Sequence, residues 1–452
     1  MKRILIFIAA ILVIMTACKP KPEPATRPGK LVHVDWSRNA TIYEVNIRQY
    51  TPEGTFKAFQ QQLPRLKNMG VDILWLMPIN PIGVKNRKGS LGSYYSIKDY
   101  LAVNPEFGTM DDFKELVKKV HEQGMYIIID WVANHTSWDN DLITKHPDWY
   151  KKDSTGKIIA PVADWTDVAA LDYSQPGLRK YMTDALLYWV KEADIDGYRC
   201  DVAGMLPVSF WNQAVPEVKM LKPVFMLAEW ETPEMHDTAF DATYSWDLYK
   251  LANDIAAGKK SPNKIDSVYT AEMKKYSPDA YRMRFTSNHD ENSWNGTEYE
   301  RLGPAAQAFA VFCFTFPGFP LIYTGQESGL NKRLRFFDKD TVKWGAYPLQ
   351  SFYTTLCSLK KNNTALQNGN AGSTYSKIPN DQPKYVFSFM REKDTCKVLV
   401  ILNLSSKPCS VKFPHGIPPG KWRSVFGKED MAAGREQAMD LKAWDYKVFQ
   451  IH

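Results

Sequence analysis

Apolar positions along this chain alternate between two spacings. In the segment DDFKELVKKVHEQG, Phe113, Leu116, Val117 and Val120 fall at i, i+3, i+4 and i+7, one face of a helix. Gly124 then offers a helix stop. The run MYIIID follows without a break and ends at Asp130, as a strand buried on both faces would. The same order appears upstream, where FQQQLPRLKNMG leads into VDILWLMP. Downstream, Leu178, Tyr181, Met182, Ala185, Leu186 and Trp189 share a helical face ahead of GYRCDVA. Further strand-like runs lie at 223–230, 240–246, 281–290 and 319–327, and TIYEVNIRQY (41–50) stands in front. Eight strands alternating with helices predict an α/β protein, a (β/α)8 TIM barrel. A doubly wound open sheet would carry a Gly-rich phosphate turn after its first strand, and IYEVNIRQYTPEG has none.

Two stretches break the rhythm. Between Asp130 and Asp201 lie too many residues for one strand–helix unit, which predicts a short insertion after strand three at 135–172, with Trp138, Trp149 and Trp165 in it. After a last helix at 352–363 come short alternating runs, the pattern of an antiparallel β-sandwich at 367–452. Within it a hairpin turn is expected near Ser405–Pro408. The barrel, with its insertion, then occupies 31–366.

The one long apolar run opens the chain. Two positive charges precede Ile4–Met15, which is too short to span a bilayer stably and ends in small residues. This predicts a signal peptide at 1–17. The segment Met15-Thr16-Ala17-Cys18 resembles a bacterial lipoprotein box, which implies lipidation of Cys18 and an exported, membrane-anchored protein on the periplasmic or cell-surface side. Residues 18–30, with Pro at 20, 22, 24 and 28, read as an extended tether. The remaining five Cys lack a CxxC spacing, so a disulfide framework or a zinc site is not expected. Net charge is +7, but no basic run in the folded part exceeds two residues, which argues against a nucleic-acid partner. The 59 aromatic residues suit a large core or a surface that stacks on sugar rings.

Working residues of a barrel of this kind sit at the C-terminal strand ends. Those ends carry Asp130, Asn134 and His135, then Arg199 and Asp201, Glu229, and Asn288, His289 and Asp290. Collecting carboxylates on one rim is costly through repulsion and desolvation, so stability alone does not explain them. Metal-dependent hydrolysis would call for HxH or HExxH, and neither occurs among the eight His. Glycoside hydrolysis needs one carboxylate nucleophile and one carboxylic acid. Arg199 stands two residues before Asp201 on the same strand face, where it would keep that carboxylate ionised.

The segments DWVANH (130–135), GYRCDVA (197–203), the Glu of LAEW (229) and TSNHD (286–290) resemble the four ordered signature segments of the alpha-amylase family, glycoside hydrolase family 13. VDILWLMP, GSYYSIKDY (92–100) and GFPLIYTGQE (318–327) resemble further segments of it. The resemblance implies Asp201 as nucleophile, Glu229 as acid and base, and Asp290 as the third carboxylate, which binds sugar hydroxyls. It implies Arg199, His135 and His289 as polar sugar contacts and Tyr95 as the aromatic beneath that sugar. Asn134 and Trp230, next to the acid, complete the candidate substrate contacts, whereas Cys200 points to the opposite strand face, into the core.

The sequence also departs from the family pattern. Starch-cleaving members carry Lys-His shortly after the nucleophile, the His helping to hold calcium; here the chain reads Val202-Ala203-Gly204-Met205-Leu206. The Asp-rich calcium loop after strand one is replaced by TPEGTF (51–56). No metal site and no cofactor are therefore expected, and calcium is not expected to be essential. The resemblance implies cleavage of α-1,4-glucosidic bonds in starch-derived α-glucans or malto-oligosaccharides. Val202 keeps open an oligo-1,6-glucosidase, neopullulanase or cyclomaltodextrinase-like activity, and a glucanotransferase shares the fold. An insertion of only 38 residues predicts a low wall and an open groove.

Overall fold

The computed structural model describes residues 31–427, 430–432 and 438–451. The signal peptide expected at 1–17, Cys18 and the whole tether expected at 18–30 lie outside the described residues. Eight parallel strands close into a barrel: β1 (Ile42–Val45), β2 (Ile73–Leu76), β3 (Tyr126–Trp131), β6 (Gly197–Cys200), β7 (Phe225–Ala228), β8 (Ala242–Tyr244), β9 (Tyr281–Arg284) and β10 (Phe319–Tyr323). The two intervening strands, β4 (His135–Ser137) and β5 (Val168–Ala170), pair with each other in the insertion. Each of the eight expected runs supplies one barrel strand. The first is shorter than its sequence pattern, because Ile47–Tyr50 turns into a helix directly after β1.

Alternation along the strands divides the apolar residues into two cores. Ile42, Ile73, Trp75, Ile128, Leu227, Met283 and Leu321 fill the barrel interior. Their outward neighbours, such as Tyr43, Leu74, Ile127, Ile129 and Cys200, pack against the surrounding helices. The helix Met110–Glu122 illustrates the outer layer. Thr109 and Asp112 form a capping box, and Phe113, Leu116, Val117 and Val120 are buried. Pro opens the helix Pro176–Ala193, whose missing N–H is no loss in the first turn.

Strand register sets the polar rim. Glu44 lies level with Trp75, and Asp130 lies level with Arg199. Because both pairs share the inward face, the polar side chains end up stacked over an apolar plug.

The C-terminal module is antiparallel. A six-stranded sheet contains β11 (Tyr375–Lys377), β12 (Val386–Lys393), β13 (Cys396–Asn403), β15 (Lys421–Ser424), β16 (Met431–Ala432) and β18 (Tyr446–Ile451). A two-stranded sheet of β14 (Cys409–Lys412) and β17 (Ala438–Leu441) covers it. Val411 and Leu441 from the small sheet meet Leu399, Ile401, Trp422 and Phe449 from the large one. The hairpin expected across Ser405–Pro408 does not form. β13 sits between β12 and β18, while β14 crosses to the other sheet.

Candidate active site

Arg199 organises the rim. It is fully buried on β6, where the apolar interior leaves it no water. Its Nη1 donates to Asp130 at 2.8 Å and to Asp201 at 3.0 Å. Its Nη2 stands 2.9 Å from Oε2 of Glu229, an ion pair not aligned as a hydrogen bond. One guanidinium thus serves three carboxyl groups; burial works against its charge, but Asp130 and Glu229 hold its pKa well above the usual value. Asp201 sees only a share of that positive charge. Burial and the neighbouring Glu229 push its carboxyl well up, with Arg199 opposing. Arg199 is the group that favours the charged form of Asp201, as its place two residues earlier on the strand led one to expect. Burial also raises Asp130, to about 6. Asp130 accepts from Tyr95 Oη at 3.0 Å and Trp75 Nε1 at 3.3 Å, which makes it the anchor beneath the site.

A second cation completes the cluster. His289 places Nδ1 2.5 Å from Glu44, and its Nε2 lies 2.8 Å from Tyr95 Oη and 3.4 Å from Asp290. Burial works against its protonation, but Asp290 and Glu44 outweigh it and raise its pKa to about 9. His135 has no such partners, and burial lowers it to about 4. It contacts Asn134 Nδ2 through Nδ1 at 3.2 Å and meets Trp165 edge-on.

The loop after β6 aims one backbone donor. Val202 has φ of 36°, a left-handed conformation that strains a β-branched residue. Its N–H donates to Glu229 Oε2 at 2.8 Å. Trp230 lies against the backbone of Gly204, so closely that a Cβ there would come within 2.0 Å of the indole.

These groups surround a cleft of about 590 Å³. Asp201, Glu229, Asp290, Tyr95 and His135 line it, with Val202 beside them. Arg199, His289 and Asn134 stand behind that lining. Trp230 does not reach it, and of the insertion's three Trp only Trp165 does. Tyr94 turns away and lies under Arg48. Sequence reasoning passed over Glu44, Lys88, Trp294, Phe336 and Phe337. Glu44 carried a signal, an acidic residue inside an apolar strand; the loop residues carried none. Nor is the groove open all round. The loop 82–93, which follows β2, reaches both the insertion and the loop after β10.

A calcium ion does not fit the residues present. Among the described residues no group of three or more His, Cys, Asp or Glu could hold a metal, and Asn134 directs its amide nitrogen to His135.

The model described as alpha amylase, catalytic domain, matches residues 34–165 and 149–371. This chain belongs to the alpha-amylase family, glycoside hydrolase family 13. A second model, maltogenic amylase C-terminal domain, matches 376–448, so the β module of this family member has its own counterpart. The chain is 27% identical over 421 residues to an alpha-amylase of Haloarcula japonica, covering 87% of this chain and 60% of that protein. It is 27% identical over 414 residues to a cyclomaltodextrinase of Thermoanaerobacter pseudethanolicus, with 85% and 67% covered. The chain thus spans roughly two thirds or less of the length of these two curated relatives. Among solved structures, a maltogenic alpha-amylase of Thermotoga neapolitana superposes with a TM-score of 0.83 at 32% identity, over 91% of this chain and 98% of that one. An alpha-amylase of Lactobacillus plantarum gives 0.82 at 30%, over 92% and 100%.

Proposed function

We propose that this protein is a retaining glycoside hydrolase that cleaves α-1,4-glucosidic bonds in malto-oligosaccharides and related starch fragments. The observation that carries this reading is the pair Asp201 and Glu229, held on neighbouring nitrogens of one buried guanidinium at the cleft wall. Two carboxyls sharing a cation favour the ~5–5.5 Å separation of a retaining pair over the wider inverting one. Their contacts divide the labour. Arg199 engages Oδ1 of Asp201, which leaves Oδ2 for attack on the anomeric carbon. Val202 and Arg199 both engage Oε2 of Glu229, which leaves Oε1 to carry the proton. As the glycosidic C–O bond breaks, that proton passes to the leaving oxygen. Glu229 then takes a proton from water, which attacks the same carbon and releases Asp201. Two inversions give net retention. The names of the relatives, a cyclomaltodextrinase and a maltogenic alpha-amylase among them, agree with a substrate built of short α-glucans.

The test is product analysis on maltoheptaose, cyclodextrin, pullulan and isomaltotriose, with the anomer read by NMR at early times. α-Anomeric product from maltoheptaose is expected. β-Anomeric product, or isomaltotriose cleaved tenfold faster than maltoheptaose, overturns the reading. Asp201→Asn should lower turnover by ~10⁴-fold or more while leaving the fold intact.

The leader suggests an address as well. We infer a lipid anchor at Cys18, on the strength of the motif Met15-Thr16-Ala17-Cys18 and the Pro-rich stretch after it. Cys18→Ser should move the protein out of the membrane fraction or block its processing. A soluble protein with Cys18 intact contradicts the anchor.

A further inference from the structure

We propose that the loop 82–93 is an end wall, which closes the cleft on the side that receives the non-reducing end of the glucan, so that substrates enter by their chain ends. This deepens the hydrolase reading above and rests on it.

The loop is fastened at three places. Near its start, Val84 N–H donates to Asp139 of the insertion at 3.0 Å, and Gly83 packs so closely on Ser137 that a Cβ would lie 2.2 Å from it. At its middle, Lys88 Nζ donates to the Asp164 carbonyl at 2.5 Å and pairs with Asp167 at 3.4 Å. Beyond that, Ser90 donates to Asp338 through both N–H and Oγ, at 2.9 and 2.6 Å, and Leu91 N–H donates to the Phe337 carbonyl at 2.9 Å. Gly89 permits the crossing. Its φ is 62°, and a Cβ would lie 2.5 Å from Phe337. The loop therefore bridges the insertion and the loop after β10, and Lys88 lines the cleft between them.

Orientation follows from the chemistry. Glu229 protonates the leaving oxygen, so the leaving chain lies on its side. The retained sugar lies over Asp201 and Tyr95. From Tyr95 a run of ring contacts leads through Phe336 to Trp294 and Phe337, and Lys88 stands over Phe337 at 5.9 Å. Aromatic faces along that path suit sugar rings, and Trp294 remains 52% exposed. The path ends at Lys88. A cleft of about 590 Å³ is in the range that holds a small saccharide. Short saccharides would then leave from non-reducing ends.

The test compares maltoheptaose with the same sugar blocked at its non-reducing end. The wild-type enzyme should cleave the blocked form at least tenfold more slowly and release one short product from the first minutes. Lys88→Ala should narrow that gap at least threefold, and Lys88→Arg should preserve it. Equal rates on both sugars, or an early ladder of internal products, overturns the wall. Binding to the Asp201→Asn variant, read by calorimetry, separates the two readings. At least tenfold weaker binding of the blocked sugar supports the wall even if no hydrolysis occurs, and equal affinities reject it.

Discussion

Two arginines of this molecule are equally buried and electrostatically opposite. Arg199 and Arg391 expose 0% and 1% of their surface. Arg199 faces Asp130, Asp201 and Glu229. Arg391, on β12, has carbonyls as its hydrogen-bond acceptors, donating to Thr315 at 3.5 Å, Gln367 at 3.3 Å and Ser373 at 2.5 Å. Carboxylates raise the first pKa, whereas burial lowers the second to about 9. Burial alone therefore says nothing about role. A guanidinium among carboxylates holds charges where chemistry needs them; one among carbonyls pins the chain where barrel and β module meet. Lys360 does similar work there, donating to Gly318 at 3.0 Å and to Asn368 at 2.7 Å.

The comparison breaks most visibly at Arg199. Arg199→Lys keeps the charge but cannot fork across three carboxyls, and kcat should fall roughly 10²–10³-fold. A variant with wild-type kcat would remove the distinction between the two sites. Arg391→Met should act in reverse. Carbonyls left without a donor cost ~1–3 kcal/mol of stability, read by chemical denaturation, with kcat within twofold of wild type. A large loss of kcat at unchanged stability would place Arg391 in the catalytic machinery instead.

A further effect concerns the second cation of the site. His289 holds its proton up to about pH 9 when folded, against an ordinary value near 6.5. Between those values the native state binds the extra proton, so stability falls as pH rises. The contribution is fully present below about pH 6.5. It is lost through pH 9, at up to about 1.4 kcal/mol per pH unit. His289→Gln should flatten the decline in denaturation midpoint between pH 7 and 9.5. An unchanged slope would mean that His289 is neutral and that Arg199 is the only cation beneath the sugar.

Much of this arrangement was legible in the sequence, for a physical reason. Parallel strands buried on both faces leave unbroken apolar runs, and a barrel puts its chemistry at their ends. Asp130, Arg199, Asp201, Glu229 and His289 could be placed by counting along such runs. What resisted reading was non-local. Glu44 matters only because β1 and β9 bring it to His289, and nothing in TIYEVNIRQY announces that neighbour. Lys88 works through the Asp164 carbonyl, which any residue at 164 would supply. The pairing of β13 and β14 was misjudged because adjacent strands of a sandwich can belong to different sheets. The sharing of Arg199 among three acids required the register of β3 against β6.

Gly204 has a consequence for redesign. The indole of Trp230 fills the space in which a side chain at 204 would begin. Any graft that restores a long side chain at this place must shrink residue 230 in the same step. Single substitutions at 204 should be poorly tolerated, and paired ones, such as Gly204→Ala with Trp230→Ala, less so. The two positions act as one unit: bulk added at 204 without trimming 230 would lose the shape of the turn that follows Asp201.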